Sequence, residues 1–107
     1  MTSRLAIATL MIAAGLAPAY ASSDDAWTEF SKEVGQKCEA AAKGMIEAPK
    51  AVVDPFGSEK FGLAIVTGEA KGAKVQISHI CVMDKKTKTV ELGSELGPDV
   101  LKVALPK

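Results

Sequence analysis

Apolar side chains in the segment 24–44, DDAWTEFSKEVGQKCEAAAKG, recur every three or four residues at Trp27, Phe30, Val34, Cys38 and Ala41, with Met45 beyond. That is the period of one helical face. Glu29, Lys32, Glu33, Lys37, Glu39 and Lys43 fall elsewhere, and Glu33 with Lys37 makes a favourable i,i+4 pair. With Asp24 as N-cap and Gly44 as stop, the pattern predicts a helix over 25–43 whose apolar stripe, Cys38 included, faces a core.

From Phe61 the period shortens to two. Phe61, Leu63 and Ile65 alternate with smaller residues, and Val75, Ile77, His79, Cys81 and Met83 share one face of a second run. A third run, 87–92, places Val90 and Leu92 on one face after the polar turn DKKTK. TGEAKGA links the first two runs, so the three form an antiparallel meander. Between helix and strands lies MIEAPKAVVDPFGSEK, in which Pro49, Pro55 and Gly57 leave room only for a short extended piece at 51–53. The expected fold is α+β: one N-terminal amphipathic helix packed on a three-stranded antiparallel β-meander.

If the helix covers the face bearing Cys81, the opposite face carries Ala64, Val66, Ile80 and Val82, too apolar to be left in water. The C-terminal segment PDVLKVALPK supplies Val100, Leu101, Val103 and Leu105 and is the expected cover; the alternative is another protein. With the tail as cover, recognition of a partner falls to the 45–60 loop and the hairpin tips. The partner-binding candidates are Pro55 and Phe56 in that loop, with Ile80 and Val82 if the tail leaves them open.

The first 21 residues change the setting. Arg4, the apolar run from Leu5 to Leu16 and Ala19-Tyr20-Ala21 have the layout of a cleaved secretory signal, with Ser22 as the mature start. The apolar run is shorter than the roughly 20 residues of a membrane-spanning helix. The expectation is a single small domain, 22–107, free in a bacterial periplasm or outside the cell, with no membrane span. Arg4 is the only arginine, so the mature chain balances 12 lysines against 13 acids. Near neutrality without arginine argues against nucleic-acid binding.

Export also decides how the two cysteines read. Cys38 and Cys81 are the only ones, in a compartment where disulfides persist, and the helical and strand periods both turn them toward the core. They are expected to pair. His79, the only histidine, shares the face of Cys81 and is the one candidate metal ligand, but with the thiols paired it lacks companions. It reads as a hydrogen-bonded structural residue. No phosphate loop, dinucleotide motif or nucleophile-base-acid grouping is present, so neither a catalytic residue nor a cofactor is expected. The functional expectation is a periplasmic protein-binding module of inhibitor, immunity or accessory type, a monomer or weak homodimer. The alternative is a small-ligand or metal binder.

Overall fold

The computed structural model describes residues 23–105, so the segment read as a secretory signal lies outside the described residues. Helix α1 spans Asp24–Ala42. Ser23, rather than Asp24, is its N-cap: the Ser23 Oγ accepts from the Ala26 N–H at 3.1 Å. Asp24 and Asp25 then occupy the first turn, where the helix dipole favours negative charge. From Phe30 the inward stripe advances by fours through Val34, Cys38 and Ala42, and Ile46 continues it past the helix end; the last four are completely buried. Ala41 and Met45, expected inside, are exposed instead. Glu33 does not pair with Lys37 but with Lys88 of a distant hairpin, at 3.1 Å.

Four strands follow: β1 Lys50–Val53, β2 Phe61–Glu69, β3 Gln76–Asp84 and β4 Val90–Leu92. They form one antiparallel sheet in the order β1-β2-β3-β4. The extra strand is the short extended piece of the 45–60 loop, which pairs along its whole length with β2. Cys38 and Cys81 are disulfide-bonded, with Cα atoms 6.0 Å apart, and bolt α1 to the sheet. Closing a loop of 43 residue steps stabilises the domain by about 4 kcal/mol in the chain-entropy account.

The register corrects the expected facing of β2. Ala64 lies opposite Cys81 and Val66 opposite His79, so both point at the helix, and it is Leu63 and Ile65 that face away. The reason is how closely α1 approaches. A Cβ at Gly62 would sit 2.5 Å from Val34 Cγ2, and one at Gly68 would sit 2.5 Å from Ile46 Cγ2. At these two positions only glycine fits, with Ala64 and Val66 between them, so Phe61, Leu63 and Ile65 are turned outward.

Both sheet edges are interrupted. On β1 the outward Ala51 N–H donates to the Glu39 carboxylate of α1 at 2.9 Å, so the helix blocks that edge. Beyond β4, Gly93 N–H donates to Ile80 O while Leu96 exchanges two hydrogen bonds with Ser78. Three residue steps on one chain therefore match two on β3, which is a bulge.

Candidate functional site: the open face of the sheet

The strand pairings arrange the outward side chains in rows. Val52, Ile65 and Ile80 form a row of β-branched residues across three strands. The next row runs from Asp54, whose N–H donates to Leu63 O, through Leu63 and Val82 to Glu91. Phe61 and Asp84 make a third. The apolar positions therefore adjoin one another, and Ile80 at the centre is 51% exposed. Solvent reaches a shallow hollow of 420 Å³ between Val52, Ile65, Ile80 and Asp54.

At the other end of the same face, the row containing Thr67 and Ser78 is buried. Its hydroxyls are satisfied internally: Thr67 Oγ1 donates to Ile77 O at 3.0 Å and accepts from Ser78 Oγ at 2.9 Å. Leu96 bridges to Ser78 at this end. The expectation that the C-terminal segment covers Ile80 and Val82 is not met, because Ile80 remains open and Val100 is itself 67% exposed. The tail turns back on itself after Gly97, whose carbonyl accepts from Val100 and Leu101 N–H. Leu101 and Val103 are half-buried.

Pro55 and Phe56 lie apart from this face. Phe56, 57% exposed, meets the edge of Trp27 with ring centroids 5.1 Å apart, and Trp27 meets Phe30 at 5.7 Å. The Lys85 ammonium fastens the group, donating to Phe56 O and Ser58 O while lying 5.1 Å from the Phe30 ring centre. Ser31 Oγ donates to Pro55 O at 3.3 Å. The loop, the start of α1 and the β3–β4 hairpin thus meet at one corner, whereas Ile80 and Val82 belong to the sheet face.

Two carboxylates at the edge of the face are held in their charged form. The Asp54 pKa lies below its ordinary value because the N–H groups of Gly57 and Phe56 donate to it. Asp84 is lowered in the same way by the N–H groups of Thr87 and Lys86. Both make Asx turns and remain anionic at neutral pH.

His79 answers to a different need. Its side chain is 3% exposed on the helix side, and its Nδ1 lies 2.8 Å from Gly93 O. A carbonyl only accepts, so Nδ1 carries the proton of this bond. Nε2 is buried without a partner. The histidine pins the bulged edge beside β4. Among the described residues no group of three or more His, Cys, Asp or Glu side chains could hold a metal ion, and both cysteine sulfurs are in the disulfide.

Sequence reasoning found Ile80 and Val82 but missed Val52, Phe61, Leu63 and Ile65. The signal was present in β2, where Gly62, Ala64 and Gly68 alternate with larger neighbours, as they must beneath a close helix. Compared with known proteins, the chain matches no family model, no curated protein and no solved structure.

Proposed function

We propose that this chain is a small exported protein that binds another protein through the open face of its sheet. The observation that carries the proposal is the half-exposed Ile80 at the centre of adjoining apolar rows, with Val52 and Phe61 also exposed at their margins. Water-facing sheet surfaces ordinarily alternate to polar residues, and contiguous apolar patches on soluble proteins mark contact sites. Export is supported by the N-terminal sequence pattern and by the disulfide, which suits an oxidising compartment. No helix among the described residues is long and apolar enough to cross a membrane.

A photo-crosslinking residue placed at Ile80 or Val82 in the exporting cell tests this directly. Discrete adducts from those positions, absent when the same residue replaces Lys71, are expected. Position 80 giving no more adduct than position 71 would remove the proposal.

A further inference from the structure

We infer that the open face receives a single amphipathic helix of the partner, with basic residues flanking its apolar stripe. This rests on the reading of the face as a docking surface and adds the shape and charge of its occupant. The extent of the face suits one helix. From the Ile65 row to the Phe61 row is four residues along β2, about 13 Å, and four strands span about 14 Å between the outermost axes. A helix with its side chains is about 10–12 Å across. The uncovered area therefore accepts one helix of two to three turns.

Other occupants fit the face less well. A second copy is disfavoured on either two-fold: an axis along the Val52–Ile65–Ile80 row would lay its Leu63 and Val82 against Thr67 and Ser78, which are already covered, and an axis along the strands would lay Asp54 against Glu91, like charge on like. An added strand is disfavoured at β1, where Glu39 occupies the outward Ala51 N–H, and at β4, which is three residues long and followed by a bulge. The face remains, and a helix lays an apolar stripe on a face without needing backbone partners.

Charge selects the flanks of that helix. The Leu63–Val82 row ends in a carboxylate on each side, Asp54 and Glu91; Asp84 beyond it has Lys86 acting on it, and Lys50, on the same face, stands two rows away opposite Thr67, so the negative charge flanks the Leu63–Val82 row itself. The Lys85 ammonium, which acts on Asp54, is held by the Phe56 and Ser58 carbonyls. Lysines or arginines on both sides of an apolar stripe complement that arrangement, and acidic flanks are repelled.

The test is an NMR titration of the isotopically labelled, oxidised protein with two helical peptides of about 18 residues, identical in their leucine stripe and flanked by lysines or by glutamates. The lysine-flanked peptide should bind about fivefold tighter or more, shifting Ile65, Ile80 and Val82. The double variant Asp54→Asn, Glu91→Gln keeps the Asx acceptor and should lose that preference. Equal binding of both peptides at these residues would overturn the charge assignment and leave the docking surface standing. Failure of both peptides at millimolar concentration would overturn the helical occupant, and crosslinks from position 80 would still decide the docking surface separately. Self-association abolished by Ile80→Asp would make a second copy the occupant and overturn the inference.

Discussion

His79 and Gly62 show how single residues hold this fold. The His79 bond to Gly93 O is made from the core side, and it fixes the point where the edge leaves regular pairing. Replacing His79 with leucine keeps most of the volume and removes the donor, for an expected loss of about 1 kcal/mol. Hydrogen exchange should accelerate first at Ser78 and Leu96, whose amides bridge across the bulge; unchanged protection there would separate the histidine from the bulge. The histidine's facing was legible from the alternation of β3. Its partner was not, because the residue that receives the bond is placed by a bulge that no local pattern announces.

The two Asx turns give a pH dependence of known sign. Asp54 and Asp84 have folded-state pKa values below those of the unfolded chain. Their stabilisation is therefore complete above about pH 4 and is withdrawn as pH falls through the lower folded-state values. Urea midpoints should fall through that acidic window. In the Asp54→Asn, Asp84→Asn double variant the fall should be shallower; an identical acid profile would place the effect elsewhere.

At the scale of elements, β2 determines how the two layers meet. Its helix-facing positions are Gly62, Ala64, Val66 and Gly68, and the Gly62 position leaves less room than a methyl group needs. Gly62→Ala should cost about 1–3 kcal/mol in urea unfolding, the range for overpacking a filled core. A neutral result would mean that α1 moves away freely, which the Cys38–Cys81 bond opposes. The existence of α1, β2 and β3 was plain in their periods. The phase of β2 was not, since large apolar residues ordinarily mark the buried face, whereas close approach at Gly62 and Gly68 selects for smallness. β1 was legible only as an extended piece, because its four residues sit between prolines and gain their identity from pairing with β2.

Across the whole molecule, the core is aliphatic and thin. Val34, Cys38, Ala42 and Ile46 meet Val66, Ile77, Cys81 and Met83, while Trp27, Phe30 and Phe56 gather at one surface corner. That corner joins segments up to 58 positions apart, from Trp27 to Lys85, and was beyond the reach of local patterns. The apolar sheet face was anticipated from the chain, but its cover was assigned to the tail. The structure leaves the cover at the Thr67–Ser78 end and opens the centre. Apolar side chains that would ordinarily be buried are thus left for association.

Equilibrium urea unfolding of Ile80→Lys beside the wild type, at several protein concentrations, tests most directly whether this face is free surface. The expected result is a stability within about 0.5 kcal/mol of wild type, as for exposed substitutions away from the core. A loss of about 2 kcal/mol or more, independent of concentration, would show that Ile80 is covered within the chain and would contradict the open face on which the proposed function stands.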